Sequence, residues 1–228
     1  METLTFSDKA LRFYKTLAAP GDLPPGIEVM NPYQLAEVQE YTRRFLEKFF
    51  SDRRDRVFVF GINPGRFGSG LTGVTFTDPV ALEKFCGIPN TLEKRREISS
   101  EFVYRFIEHW GGAQKFYNDF FLTAVSPLGF TRSGRNYNYY DDPALFDAIK
   151  PFIVETLGTQ LDFGARREVV ILFGIRQNQR FFLDLNKEYG FFKKIFALEH
   201  PRYIMQYKRR YLPEYLKKYE DIFSQALS

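Results

Sequence analysis

The chain has 228 residues, 44% of them hydrophobic, one cysteine and a formal net charge of +4. A chain of this size and composition is expected to form one domain. A single cysteine excludes an internal disulfide, a four-cysteine iron–sulfur cluster and the common multi-cysteine zinc sites. The mild basic excess is compatible with a nucleic-acid partner but does not by itself indicate one.

Four short apolar runs predict strands, at 57–62, 120–125, 169–173 and 195–198. They are rich in β-branched and aromatic residues and nearly continuous, which is typical of strands covered on both faces. Helices are predicted at 31–50, 91–108, 142–157, after Gly174 and at 212–226, and Asn31, Asp78 and Asp142 each place a capping side chain before a proline. The alternation predicts an α/β fold: a single three-layer α/β/α domain over 1–228 around a mostly parallel, four-stranded central sheet.

The sequence carries no signal for a membrane, a metal or a cofactor. Its first residues lack the basic segment and long apolar run of a secretion signal, and no apolar run approaches the ~20 residues needed to span a bilayer. It has no His-x-x-x-His or Cys-x-x-Cys spacing, no dinucleotide fingerprint and no nucleophile elbow. We therefore expect a cytoplasmic protein without membrane association, metal or cofactor.

The loop after the first predicted strand is rich in glycine. It begins with Gly-Ile-Asn-Pro-Gly at 61–65 and continues to Thr-Gly-Val-Thr-Phe at 72–76. Asn63 lies just past the carboxyl end of a strand, where open α/β sheets build their sites. Asn-Pro-Gly alone is also a common turn. The further glycines and the aromatic Phe76 favour a small, flat pocket.

His200 directly follows the last predicted strand. The carboxyl ends of parallel strands share one edge of the sheet, so Asn63 and His200 are expected to face each other across a cleft. A lone histidine is more often structural, but its place before a proline and a basic stretch favours a functional role. His109 lies near a predicted helix end, where a cation interacts well with the helix dipole, and is interpreted as structural.

The segment after His200 mixes cations with apolar side chains: Arg202, Tyr203, Ile204 and Met205, followed by Lys208, Arg209 and Arg210. Such a run is often only a solvated face. Apolar side chains beside phosphate-binding cations are also what a protein needs to enter a duplex and hold an extruded base. The loop at 132–140 combines arginine, tyrosine and asparagine, and is either a second nucleic-acid contact or a tyrosine-rich lid.

These motifs together resemble one family. Residues 61–68 are similar to the first motif of the single-strand-selective monofunctional uracil-DNA glycosylases, a branch of the uracil-DNA glycosylase superfamily. Residues 72–76 are similar to its continuation, and His200-Pro201 to its second motif. The resemblance implies a uracil-DNA glycosylase-like fold and a DNA partner that contains uracil or a related lesion. It also implies a monomer that needs no other protein.

The resemblance also implies roles for individual residues. Asn63 would position the attacking water, and His200 would stabilise the departing uracil. Phe76 would stack on the flipped base, and the backbone at Ile62 and Gly65 would contact it. The segment from Arg202 to Met205 would be the wedge. Apart from the resemblance, the basic run Lys208, Arg209 and Arg210 is expected either to bind DNA or to be only a solvated face.

The sequence departs from the family at one base-contacting position. Ala124 stands where the family has an asparagine that reads the uracil edge, and an alanine side chain cannot hydrogen-bond a base. The resemblance therefore implies cleavage of a glycosidic bond in DNA without fixing the base. A catalytically inactive DNA-damage-binding module and a glycosylase for another base, such as hypoxanthine, stay open as alternatives.

Overall fold

The computed structural model describes residues 3–228. Its helices are α1 (Phe6–Thr16), α2 (Ala36–Phe50), α3 (Ser69–Thr72), α4 (Pro79–Lys84), α5 (Ile98–Trp110), α6 (Ala113–Asp119), α7 (Pro143–Leu161), α8 (Gln177–Tyr189), α9 (Pro201–Tyr207) and α10 (Leu212–Leu227). Its strands are β1 (Ile27–Met30), β2 (Arg56–Gly61), β3 (Phe120–Ala124), β4 (Gly129–Arg132), β5 (Arg135–Tyr137), β6 (Ala165–Phe173) and β7 (Lys194–Leu198).

The central sheet confirms the predicted α/β fold. Within the described range, its four strands are parallel and lie in the order β3-β2-β6-β7. Every residue of β2 is buried, because helices cover both faces of the sheet. On one face Phe58 packs against Phe6 of α1, and on the other Phe120 packs against Phe223 of α10. The predicted α/β/α layering is therefore correct.

A second, smaller sheet was not expected from the sequence. Strands β1, β4 and β5 form it in the order β1-β4-β5, with both pairings antiparallel. Two of these strands lie within 126–141, which reads as a loop because strands of three or four residues show too little alternation to be recognised. This sheet brings residues 27–30 against 129–132.

Two predicted helix starts are misplaced. Asn31 caps a 3₁₀ turn, Pro32–Gln34, and α2 begins only at Ala36. The helix expected at 91–108 begins at Ile98, because the chain before it is extended and the Asp78 carboxylate holds the Glu97 N–H at 2.8 Å. Among the described residues no helix is both long and apolar enough to cross a membrane.

Arg56, at the start of β2, is fully buried. Its guanidinium donates to both carboxylate oxygens of Asp52, at 2.9 and 3.0 Å, and to the Tyr117 carbonyl at 2.8 Å. The rings of Phe6 and Phe50 lie 5.1 and 4.8 Å from it. Partial burial acts to raise the pKa of Asp52, but the hydrogen bonds from Arg56 and Arg54 hold that pKa well below its usual range. This buried ion pair joins three segments of chain below the sheet.

Candidate active site

A pocket of about 510 Å³ opens at the carboxyl edge of the central sheet. Its wall brings together the residues expected to act on a base: Ile62, Asn63, Gly65, Phe76, Ala124, His200 and Arg202. Asn63 follows β2 and His200 follows β7, so the sheet order sets them on opposite sides of the pocket. The pocket is large enough for one nucleobase and part of its sugar.

Phe76 is nearly buried, and the end of its ring packs closely against Gly61. A Cβ on Gly61 would lie 2.6 Å from Cζ of that ring, closer than atoms can approach. The backbone of Phe76 is left-handed, with a φ of 56°, which is costly for an aromatic residue. The ring can therefore occupy this position only because residue 61 is glycine.

Buried threonines hold the strained turn at Phe76. The Thr72 hydroxyl donates to the Thr77 carbonyl at 2.6 Å and accepts from the Val74 N–H at 3.1 Å. The Thr77 N–H also donates to the Val74 carbonyl at 3.1 Å. These bonds over-determine the turn and offset the strain at Phe76.

The carboxamide of Asn63 is fixed by backbone groups of residues 137 and 139, which are distant in the sequence. Its Oδ1 accepts from the Tyr139 N–H at 3.1 Å, and its Nδ2 donates to the Tyr137 carbonyl at 3.2 Å. This network assigns the amide orientation. One lone pair of Oδ1 is left over for a water in the pocket.

His200 is both a pocket residue and the N-cap of α9. Its Nδ1 accepts from the Arg202 N–H at 3.2 Å, which assigns the remaining ring proton to Nε2. Burial, and then the charge of Arg202, lower the pKa of His200 to about 4. At neutral pH the ring is therefore an uncharged donor at Nε2.

The comparisons with known proteins agree with this site. A family model described as the uracil DNA glycosylase superfamily matches residues 47–224. This chain belongs to that superfamily. The crystal structure of wild-type SMUG2 from Pedobacter heparinus is similar over 98% of each chain, with 42% sequence identity and a TM-score of 0.95. No curated protein matches the chain.

Among the pocket-lining positions of this superfamily member, Ala124 contributes only a methyl group. It ends β3, is paired with Gly61 and is 4% exposed. Sequence reasoning missed a polar group on the same wall, the carboxyl of Glu97 at the start of α5. Burial raises the pKa of Glu97, while Ser99 and the charge of Arg202 act in the opposite direction. No motif in the sequence distinguishes Glu97 from the neighbouring surface charges.

The expected apolar wedge needs correction. Ile204 and Met205 are 0% and 4% exposed, because α9 turns these side chains toward α5 and the core. They are therefore not free to enter a duplex. Arg202 and Tyr203 are exposed, and the ring of Tyr203 is tilted by 46° against that of Tyr207, with ring centroids 5.5 Å apart. The surface beside the pocket is aromatic and cationic.

The cations that line the pocket are the predicted Arg202 and two that were not predicted as DNA contacts, Arg66 and Arg135. The predicted Lys208, Arg209 and Arg210 lie beyond α9. Arg209 is already paired with Glu101 at 2.8 Å. Arg135 belongs to the segment 132–140, so the structure brings that segment to the pocket, and both of its interpretations stay open.

The second histidine, His109, lies outside the pocket. His109 lies in the last turn of α5, with Nε2 3.5 Å from a Glu220 carboxylate oxygen, and does not line the pocket. Among residues 3–228 no cluster of three or more His, Cys, Asp or Glu side chains is arranged to hold a metal ion.

Proposed function

We propose that the protein is a monofunctional DNA glycosylase that hydrolyses the N-glycosidic bond of uracil, or of a related deaminated base, and leaves an abasic site. The observation that carries the proposal is the placement of Asn63 and His200 in one pocket with the ring of Phe76. Membership in the superfamily and the likeness to SMUG2 support it. That the protein acts as a monomer in the cytoplasm stays a prediction.

In the proposed reaction, the extruded base stacks on Phe76 and its glycosidic bond faces Asn63. The free lone pair of Asn63 Oδ1 accepts a hydrogen bond from the attacking water. The water oxygen bonds to C1′ while the C1′–N1 bond breaks and its electron pair passes to the base. The proton released by the water leaves to solvent. An amide is a weak base, so most of the rate enhancement comes from stabilising charge.

His200 acts on the leaving group. Its Nε2–H donates to the pyrimidine oxygen on which negative charge develops, and this bond strengthens as the transition state forms. Because the ring is neutral, the donor is available across a wide pH range. Loss of one such preorganised donor typically costs about 2.7–4 kcal/mol of barrier stabilisation.

The pocket wall supports a hydrolase rather than a lyase. Among the described residues that line the pocket there is no lysine, so no primary amine is placed to form a Schiff base with the sugar. The abasic strand is therefore left uncut.

Ala124 favours a second candidate, a glycosylase with broader base choice. Without an amide at this position, the imide edge of the base is left to other groups such as Glu97. Uracil and hypoxanthine both present an N–H beside a carbonyl. A protonated carboxyl can donate to that carbonyl and accept from that N–H. Burial raises the pKa of Glu97, which is the direction that this contact requires.

The test is release of free base from oligonucleotides that carry uracil or hypoxanthine, in single and double strands. Wild type should release at least uracil, and Asn63→Ala should bind the same DNA while losing cleavage. Asn118→Ala, a change on α6 outside the pocket, should leave the rate unchanged.

Each result has a distinct meaning. Tight binding of uracil DNA by wild type without release of any base would favour the inactive binding module. Unimpaired turnover in Asn63→Ala would overturn the role of Asn63. Faster release of hypoxanthine than of uracil would favour the second candidate.

A further inference from the structure

Phe67 stands out at the mouth of the pocket because it is 39% exposed and lies between two cations. The guanidinium carbons of Arg66 and Arg95 are 4.9 and 5.1 Å from the centre of its ring. A single exposed phenylalanine is ordinary on a protein surface. An exposed ring with two guanidinium groups beside a base-sized pocket is a specific arrangement.

The backbone presents Phe67 rigidly. The Gly65 carbonyl accepts from the Gly68 N–H at 3.3 Å and from the Gly70 N–H at 3.0 Å, which closes a tight turn around residues 66 and 67. The Arg66 N–H is also held by Asn136 Oδ1 at 3.2 Å. The ring therefore projects from a braced turn, and ordering it on binding costs little conformational entropy.

The two guanidinium groups beside the ring form at most one weak ion pair within the described part of the chain. Among residues 3–228, Arg66 has no carboxylate partner, and its Nε is buried without a hydrogen-bond acceptor. Arg95 pairs only with Glu93, at 3.0 Å, and both side chains are more than half exposed. An exposed pair of this kind is weak. Both guanidinium groups can therefore turn toward an external anion.

An aromatic ring with flanking cations is the composition with which proteins hold single-stranded nucleic acid. Bases stack on the ring, and the cations follow the phosphates. The turn carries Gly65, which lines the pocket, so the ring lies beside the position of the extruded nucleotide. The corrected wedge residues Ile204 and Met205 are buried and supply no such surface.

We propose that Phe67 is a stacking platform for the nucleobase next to the extruded one, with Arg66 and Arg95 taking the flanking phosphates. When a base stacks on Phe67, the Arg95 guanidinium moves off the ring and turns toward the phosphates of the nucleic acid. This inference rests on the proposed function, since it needs a base in the pocket to define the neighbouring position.

The experiment uses single-stranded oligonucleotides with 2′-fluoro-deoxyuridine, which resists glycosidic cleavage, and 2-aminopurine on its 5′ or 3′ side. Binding of wild type should quench 2-aminopurine fluorescence in one of the two oligonucleotides. Phe67→Leu should abolish the quenching, and Phe67→Tyr should keep it. On cleavable uracil strands, Phe67→Leu should raise KM about 5- to 150-fold and leave kcat unchanged.

Tyr189→Leu is the matched control. Tyr189 is 44% exposed at the end of α8 with a Lys150 ammonium 6.0 Å from its ring, and it does not line the pocket. This variant should behave as wild type. Equal melting temperatures of the two leucine variants would exclude a folding defect.

The outcomes separate the two proposals. Quenching and KM values in Phe67→Leu equal to those of wild type, with normal uracil release, would overturn the platform alone. Quenching that depends on Phe67 without any base release would uphold the platform and overturn the glycosylase. Wild type that neither binds nor cleaves would overturn both.

Discussion

The ring of His200 lies 5.7 Å from the ring of Phe76, with an angle of 49° between the two planes. One residue caps a helix after the last strand of the sheet, and the other lies in a strained turn after the second. Their approach places the proposed donor to the leaving group beside the ring on which we propose that the base stacks. In the proposed mechanism, stacking and charge stabilisation are thus coupled by one contact.

The first prediction concerns the pH dependence of catalysis. Because burial and Arg202 lower the pKa of His200 to about 4, the ring stays neutral well below its ordinary pKa of 6.5. The single-turnover rate constant should therefore show no inflection near pH 6.5. Base release measured from pH 8 down to pH 5 tests this, and a fall in rate with a midpoint near 6.5 would contradict it.

The lowered pKa of His200 also predicts how the free energy of unfolding changes with pH. The folded-state pKa lies below the value expected for the unfolded chain, so the unfolded chain binds the proton first as the pH falls. The stability that depends on neutral His200 is complete above pH 6.5 and is lost as the pH falls toward 4. In urea unfolding, the midpoint of His200→Asn should no longer show this fall in stability between pH 6.5 and 4. The midpoint of His109→Asn should still show it.

The second prediction concerns the glycine under Phe76. Gly61→Ala places a methyl group 2.6 Å from the Phe76 ring, so the ring must move away from the base position. Base release should fall by a factor of ten or more, and the free energy of unfolding should fall by about 1–3 kcal/mol. Base release and urea unfolding of the variant measure both effects.

Gly158→Ala is the control for this change. Gly158 is in α7, and an added Cβ would meet no atom within 4 Å. Alanine in a helix interior should raise stability by about 0.5–1 kcal/mol and leave the activity unchanged. Full activity in Gly61→Ala would mean that Phe76 does not support the base.

The third prediction separates two groups of cations by the salt dependence of DNA binding. Arg135 lines the pocket and, among the described residues, forms no ion pair, whereas Arg209 is paired with Glu101. Arg135→Ala should lower the slope of log K against log salt by about 0.7–0.9, as expected for one lost phosphate contact. Arg209→Ala should change it less. An unchanged slope in Arg135→Ala would remove this loop from the DNA surface.

The fourth prediction concerns the buried arginine. Arg56→Leu removes the Arg56 hydrogen bonds to the Asp52 carboxylate and the Tyr117 carbonyl, and Asp52 keeps only those from Arg54. Removing one partner of a buried ion pair typically costs about 3–5 kcal/mol, and the partial exposure of Asp52 sets the lower end of that range here. Chemical denaturation measures the loss. Asp52→Asn should also be destabilising, because it keeps an acceptor but leaves the fully buried Arg56 charge without a carboxylate.

The structure could be predicted from the sequence where a feature depends on a single strand or on its end. The central strands were predictable because each is a continuous apolar run, and the shared pocket of Asn63 and His200 followed from their places at strand ends. The small sheet was not predictable, because strands of three or four residues are too short to show an alternation of apolar and polar side chains. Burial of Ile204 and Met205 depends on which way α9 faces, and that is set by α5, more than ninety residues earlier in the chain.

The hydrogen bonds that fix Asn63 join it to residues 74 and 76 positions later in the chain. His200 arrives later still, after the last strand. Contacts over such separations form slowly, because the intervening chain must first lose its conformational freedom. During synthesis the sheet can begin to form around β2 and β3, while the chemical centre stays incomplete until nearly the whole chain has emerged. During refolding, the helix signal in circular dichroism should therefore return before the base-release activity does.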